Sequence, residues 1–192
     1  MLHTDTAQTL GPGLWYLTQV FDDRTYREIR RCYRETVTGW QCLVPNRLMS
    51  LPNNPDYDYL SKVALDINQA VGELTGHQLQ PLNQEIFIDL PGHQLTWHFD
   101  SNNYQVLLQV YCGDIAQPNM GTQWYVGDQN SNLLARYGTN AIVDVQGLET
   151  VETVYAPNAG YINDNTIKKA HGTRRIAAGL SRESVLFTFG QK

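Results

Sequence analysis

The chain has 192 residues, of which 42% are hydrophobic and 17% are charged, and its formal net charge is -5. This length suits one hydrophobic core, so we expect a single domain over residues 1–192, with a helical N-terminal layer at 1–79 and a β core at 80–192. Basic residues form no long run, which argues against nucleic acid as a partner. The sequence has no signal-peptide pattern and no apolar window that approaches a membrane span, so we expect a soluble protein without a membrane partner.

The three cysteines give information about the compartment. Cys32, Cys42 and Cys112 are odd in number and fit no zinc spacing, so a disulfide framework is not expected. We interpret them as small, buried apolar side chains. A reducing, cytoplasmic location is the expectation that follows.

Two helical patterns come first along the chain. The pair Asp22 and Asp23 can cap a helix, and apolar residues then recur at helical spacing at Tyr26, Ile29, Tyr33 and Val37. A second helix is predicted from Asn54 and Pro55 to a stop at Gly76. Both helices are apolar on one side, so each needs a sheet or another helix to cover that side.

After residue 80 the hydrophobic period changes from helical to alternating. Residues 85–90 and 95–100 alternate apolar and polar side chains around a turn at Pro91 and Gly92. Further strands are predicted at 104–111, 122–126, 141–145, 151–155, 161–163 and 184–189. The fold class that this pattern predicts is α+β, mainly β, with a β-sandwich or jelly roll and two N-terminal helices packed on the outside of one sheet.

A histidine and an aspartate lie two residues apart in the predicted strand 95–100. His98 and Asp100 therefore project from the same face, while Trp97 and Phe99 project from the other. An imidazole and a carboxylate in this arrangement supply two of the three ligands of the 2-His-1-carboxylate triad that binds Fe(II). The second histidine has to come from elsewhere, and His171 is the only one downstream.

The final predicted strand carries a candidate receptor for an anion. Arg182 and Ser184 lie on one face of it, eleven and thirteen residues after His171. A guanidinium with a hydroxyl beside it recognises a carboxylate through parallel charge-assisted hydrogen bonds. Each of these residues taken singly is more simply explained as a surface polar group, and it is their order and spacing together that favour a site.

The combination of His-x-Asp, a distal histidine in "KKAHG" and a final Arg-x-Ser resembles the Fe(II)- and 2-oxoglutarate-dependent oxygenases. The order of two helices followed by the β core is similar to the prolyl-hydroxylase-like branch. The resemblance covers roughly residues 80–190 and implies a double-stranded β-helix, which is the jelly roll of this family. It implies that His98, Asp100 and His171 bind iron.

The resemblance also assigns the cosubstrate contacts. It implies that Arg182 binds the distal carboxylate of 2-oxoglutarate with help from Ser184. By spacing, Tyr111 is the tyrosine expected to assist from the third strand, with Tyr104 as its rival.

The implied reaction uses dioxygen and 2-oxoglutarate, releases succinate and CO2, and hydroxylates a C–H bond of an amino-acid side chain in a peptide or of a small molecule. Demethylation and desaturation stay open, whereas Asp100 fills the position that halogenases leave for chloride. The alternatives are a jelly-roll module that binds carbohydrate or another ligand and a cupin-like metalloenzyme that does not use 2-oxoglutarate. Two segments predicted as irregular loops, 41–55 and 127–140, hold candidate substrate contacts at Asn46, Arg47, Arg136 and Tyr137.

Overall fold

The structure is a computed structural model that describes residues 1–35, 40–50 and 56–192. Within these residues the helices are a short 3-10 turn at Thr4–Thr6, α1 at Asp23–Glu35, α2 at Asp56–Thr75 and α3 at Asn130–Tyr137. None of these described helices is long and apolar enough to cross a membrane.

Most of the regular structure is β. The strands found in the described part of the chain are β1 (Ala7–Gly11), β2 (Leu14–Leu17), β3 (Trp40–Val44), β4 (Arg47–Ser50), β5 (Leu79–Asp89), β6 (Val106–Tyr111), β7 (Thr122–Trp124), β8 (Val151–Glu152), β9 (Gly160–Asp164), β10 (His171–Thr173) and β11 (Arg182–Gln191). They form an antiparallel sheet of 8 strands in the order β1-β2-β9-β6-β11-β5-β4-β3 and a smaller sheet of 3 strands in the order β10-β7-β8.

The two long helices cover one face of the large sheet, as the sequence predicts. Ile29 of α1 and Leu60 and Ile67 of α2 share a buried cluster with Ile86 of β5 and Phe187 of β11. This cluster is the main core. Because apolar residues recur on one side of each helix, burying that side against the sheet removes it from water.

The predicted start of α1 and the predicted end of α2 lie among the described residues, and the structure confirms both. The Thr25 amide donates to Asp22 Oδ1 over 2.9 Å, so Asp22 caps α1. Helix α2 stops before Gly76, which has a φ of 75° that favours glycine. Val37 and the predicted start at Asn54 and Pro55 lie outside the described residues.

The other face of the large sheet packs against the small sheet. Tyr111 and Tyr161 of the large sheet are buried together with Trp124 of the small one. β5 is buried on both faces: Phe87 and Asp89, on the predicted polar side of the alternation, are buried on one face, and Ile86 is buried on the other. The space between the two sheets contains the site described below.

Several predicted elements differ from the structure. Residues 95–100 and 141–145 are not strands but extended or irregular backbone, and the strand predicted at 151–155 is reduced to β8. The segments expected to be irregular contain the β3-β4 hairpin and α3, although residues 51–55 lie outside the described part. Residues before 80 also contribute β1 to β4, which the sequence pattern did not reveal. Cys32 and Cys112 are buried as predicted, whereas Cys42 is exposed.

Candidate functional site

Three side chains from two separate segments of the chain come together, as the sequence predicted. His98, Asp100 and His171 each offer one ligand atom, and these atoms all lie within 4.8 Å of one another. Asp100 Oδ1 is 3.4 Å from His98 Nε2, and Asp100 Oδ2 is 3.4 Å from His171 Nε2. A His-Asp-His set with this spacing is a candidate metal site.

Backbone pairing brings the two histidines together. His98 and His171 exchange both backbone hydrogen bonds, each of 2.9 Å, although residues 95–100 form no regular strand. Gly172 permits this approach, because a Cβ at that position would lie 2.8 Å from the carbonyl oxygen of Leu95. The result is that the two imidazole centroids are 4.5 Å apart.

The second nitrogen of each imidazole is held by the backbone. His98 Nδ1 lies 2.8 Å from the carbonyl oxygen of Thr96, and His171 Nδ1 lies 3.2 Å from that of Lys169. A carbonyl only accepts, so each Nδ1 carries the proton and donates it. The Nε2 atom of each imidazole is therefore the one that faces Asp100 and is placed to bind a metal ion.

Burial and neighbouring charge set the protonation of the cluster. Burial alone would raise the pKa of Asp100, but the two imidazoles and the Tyr104 hydroxyl hold that pKa well below its usual range. Burial lowers the pKa of His171, and the attraction of Asp100 offsets only part of this effect. At neutral pH the site therefore presents an ionised carboxylate and a neutral His171, the forms that bind metal ions.

Three side chains hold the loop that carries Asp100. The Tyr104 hydroxyl donates a short hydrogen bond to Asp100 Oδ2. Lys168 Nζ donates to the carbonyl oxygens of Asp100 and Ser101, at 2.9 and 3.2 Å. Asn165 Nδ2 donates to the carbonyl oxygens of Ser101 and Tyr104, at 2.8 and 3.0 Å. These bonds leave the carboxylate little freedom to turn.

Trp124 forms part of the wall behind His171. Its indole stacks on the His171 ring, with centroids 4.5 Å apart and planes 26° apart. Trp124 is buried. It is a core residue that also fixes the orientation of a candidate ligand.

A cavity of about 140 Å³ joins the three ligands to Arg182. The Arg182 side chain is almost fully buried, and its Nε and Nη2 donate to Asp89 Oδ2 over 2.9 and 2.5 Å. Its Nη1 is buried and has no hydrogen-bond partner among the described residues. A buried, unpaired guanidinium N–H is costly in free energy unless a ligand accepts from it.

The other predicted cosubstrate contacts lie outside the cavity wall. Ser184 pairs with Tyr111 across β11 and β6, and both are buried. The Tyr111 hydroxyl is 2.6 Å from Thr153 Oγ1, and neither Tyr111 nor Ser184 is among the cavity-lining residues that the structure describes. The contact of Tyr111 and Ser184 with a cosubstrate stays a prediction. Tyr104, the alternative to Tyr111, donates a hydrogen bond to Asp100.

Sequence reasoning missed several residues of the cavity wall. Gln109 and Tyr161 line it, and the Tyr161 hydroxyl donates to Gln109 Oε1. Arg47, named as a substrate contact, also lines the cavity and forms an ion pair with Asp89. Asp89 itself could not be singled out, because it reads as one polar position in an alternating strand.

No protein-family model matches the chain, and no curated protein matches it in sequence. Solved structures do match in fold. HygX from Streptomyces hygroscopicus, with nickel and 2-oxoglutarate bound, has a TM-score of 0.71 at 16% identity, covering 98% of this chain and 85% of its own.

Two further structures extend the likeness. The epimerase SnoN, in complex with Fe3+, alpha ketoglutarate and nogalamycin RO, has a TM-score of 0.71 at 12% identity over 94% of this chain and 79% of its own. A Pseudomonas putida prolyl-4-hydroxylase has a TM-score of 0.67 at 11% identity over 94% of this chain and 93% of its own. The chain thus has the fold of the 2-oxoglutarate- and Fe(II)-dependent oxygenases, and the double-stranded β-helix expected from its sequence follows from these neighbours.

Proposed function

We propose that the chain is a non-haem Fe(II)- and 2-oxoglutarate-dependent oxygenase. In this proposal His98, Asp100 and His171 hold the iron. Arg182 binds the distal carboxylate of 2-oxoglutarate. The observation that carries the proposal is that one cavity combines a His-Asp-His donor set with a buried guanidinium whose Nη1 lacks a partner. The likeness to HygX, which binds nickel and 2-oxoglutarate, supports it.

The donor set suits the proposed metal. His98, Asp100 and His171 would hold a first-row divalent ion through two imidazoles and one carboxylate, the donor set that suits Fe(II). Bound iron, together with 2-oxoglutarate and dioxygen, supplies the chemistry that forms succinate and CO2 and oxidises a C–H bond. Binding and orientation of the reactants come from the chain's own side chains.

In this proposal the side chains bind the metal, orient the cosubstrate and exclude water from the cavity. The Asp100 carboxylate supplies the negative charge of the metal site, and Tyr104 keeps one of its oxygens engaged. Arg182 fixes one end of the cosubstrate by charge-assisted hydrogen bonds. The apolar side chains of Phe87, Leu107 and Leu186 line the same cavity and exclude water from it.

We further propose that the reaction is hydroxylation of an amino-acid side chain in a peptide or protein, or of a small molecule. The test is a screen of amino acids, peptides and small molecules for succinate release that depends on the added compound, with mass spectrometry to detect one added oxygen atom. Because SnoN is an epimerase with this fold, the product itself has to be identified. Succinate release with a product of unchanged mass would contradict hydroxylation.

The decisive binding test uses anaerobic protein with Fe(II), followed by 2-oxoglutarate. We expect the visible charge-transfer band of an iron-bound 2-oxo acid in the wild type and its loss in His171→Ala. His3→Ala is the matched control, since His3 lies in the N-terminal segment and does not line the cavity. Binding of Fe(II) with no response to 2-oxoglutarate would favour a cupin-like metalloenzyme, and absence of both would refute the proposal.

A further inference from the structure

Two guanidinium groups share one buried carboxylate beside the candidate metal site. Arg47 of β4 and Arg182 of β11 are the direct cross-strand partners of Asp89 on β5, one on each side. The three side chains therefore project from the same face of the sheet. The exposed fractions of their side chains are 18% for Arg47, 2% for Arg182 and 0% for Asp89.

Both arginines use the same edge of the guanidinium to hold Asp89. Arg182 donates from Nε and Nη2 to Oδ2, and Arg47 donates from Nε to Oδ1 over 2.5 Å and from Nη2 to Oδ2 over 3.0 Å. A guanidinium carries five N–H donors in a rigid fork. The edge formed by Nη1 and Nη2 therefore keeps free donors in each arginine, and both arginines line the cavity.

Arg47, Arg182 and Asp89 together carry one net positive charge. One carboxylate faces two guanidinium groups, and the nearby His93 adds no compensating negative charge. Asp100 is the one acidic residue among the cavity-lining residues that the structure describes. Asp100 lies between the two histidines, so the excess positive charge is at the end of the cavity where the two arginines lie, and a positively charged end of a small cavity with apolar walls attracts the anionic end of an occupant.

Arg47 also contacts an aromatic ring. Its guanidinium carbon lies 4.9 Å from the centroid of the Phe87 ring, and Phe87 lines the cavity as well. A guanidinium that lies over a ring and is paired along one edge has lost rotamer freedom before a ligand arrives. Such preorganisation lowers the cost of binding.

We propose that Arg47 is a second anchor for the distal carboxylate of 2-oxoglutarate, beside Arg182, and that Asp89 is the positioning residue that turns the free edge of both guanidinium groups to the cavity. This inference rests on the proposed function. It makes selectivity for a dicarboxylic 2-oxo acid depend on two arginines from opposite sides of β5.

The test compares two ligands on nickel-loaded protein by isothermal titration calorimetry. The first ligand is 2-oxoglutarate, and the second is 2-oxopentanoate, which has a methyl group in place of the distal carboxylate. Arg47→Gln should weaken binding of 2-oxoglutarate by roughly tenfold, the loss expected for one charge-assisted hydrogen bond, and leave binding of 2-oxopentanoate unchanged. Arg47→Lys keeps the positive charge but loses the paired donors of the guanidinium, so its affinity for 2-oxoglutarate should lie between that of the wild type and that of Arg47→Gln.

Controls separate a local effect from a general one. Arg175→Gln removes an exposed arginine that does not line the cavity, so it should bind both ligands as the wild type does. In Arg47→Gln the Asp89 carboxylate keeps its bonds to Arg182, and circular dichroism checks that the variant is folded. Equal weakening of both ligands would overturn the proposal, because Arg47 would then act on the site as a whole.

The outcomes also distinguish this inference from the function on which it rests. If Arg182→Gln weakens 2-oxoglutarate binding and Arg47→Gln does not, the second anchor is refuted while the proposed oxygenase stands. If nickel-loaded wild type binds metal but no 2-oxoglutarate, the proposed function fails and the inference fails with it.

Discussion

Replacing Tyr104 by phenylalanine tests how the carboxylate ligand is held. The Tyr104 hydroxyl donates to Asp100 Oδ2, and burial next to Asp100 raises the pKa of this phenol far above its usual value. Tyr104 therefore remains a donor at all ordinary pH values. Tyr104→Phe removes that donor and changes little else, because the ring that packs in the site is retained.

The expected magnitude follows from the type of bond. A hydrogen bond to a charged group contributes about 1.5–3 kcal/mol, and removal of a partner of a metal ligand weakens metal binding by about 10- to 100-fold. We expect a loss within this range, because Lys168 and Asn165 still hold the backbone of the loop. The assay is a competition titration of Ni(II) between the protein and a chromophoric chelator.

The matched control is Tyr26→Phe. It removes a partly buried hydrogen bond from α1 to the carbonyl oxygen of Tyr111, away from the ligands. Its affinity for Ni(II) should equal that of the wild type. If Tyr104→Phe also binds Ni(II) with wild-type affinity, the hydroxyl does not orient Asp100 and the reasoning is wrong.

Three further predictions concern stability and the approach of the two histidines. Asp89→Asn leaves the buried guanidinium of Arg182 and the partly buried guanidinium of Arg47 without their carboxylate. The free energy of unfolding in urea should therefore fall by about 3–5 kcal/mol, and a fall below about 1 kcal/mol would contradict the ion-pair geometry. Burial acts to raise the pKa of Asp89, but the arginines lower it below its unfolded value, so its contribution is complete above about pH 4 and is lost as the pH falls through the folded pKa. Wild type should therefore lose more stability than Asp89→Asn when urea unfolding is repeated at falling pH in the acid range. Gly172→Ala places a Cβ 2.8 Å from the Leu95 carbonyl oxygen and should cost about 1–3 kcal/mol and weaken Ni(II) binding; unchanged binding would show that the bridge does not set the ligand spacing.

Two of the three candidate metal ligands could be predicted because their arrangement depends on short-range geometry. Side chains two residues apart share a face in any extended backbone, so His98 and Asp100 meet even though residues 95–100 are not a regular strand. His171 was identified by its position in the chain and by the resemblance, and the structure brings it to the other two.

The arginine pair could not be predicted, because it depends on strand register. Arg47, Asp89 and Arg182 are distant in sequence and become neighbours only when β4, β5 and β11 pair side by side. No local pattern encodes that pairing. The sequence named Arg47 as a loop residue and Asp89 as a polar position, and it assigned neither to a carboxylate site.

The missed elements are short or weakly patterned. Helix α3 has only 8 residues, and its apolar side chains pack on a small cluster around Phe99 and Tyr125 rather than on the main core. Strands β1 and β2 precede the first helix and join the sheet through β9, a pairing between distant segments. Propensity in such short runs is outweighed by tertiary contacts.

The position of β11 between β6 and β5 has a consequence for how the protein is made. On the ribosome, residues 182–191 emerge after every other strand of the large sheet, so β6 and β5 each present an unpaired edge until then. A nascent chain in that state exposes surface that other chains can join, which is a recognised cause of aggregation. Pairing of the strand that carries Arg182 closes this opening and completes the wall of the cavity beside the candidate metal site.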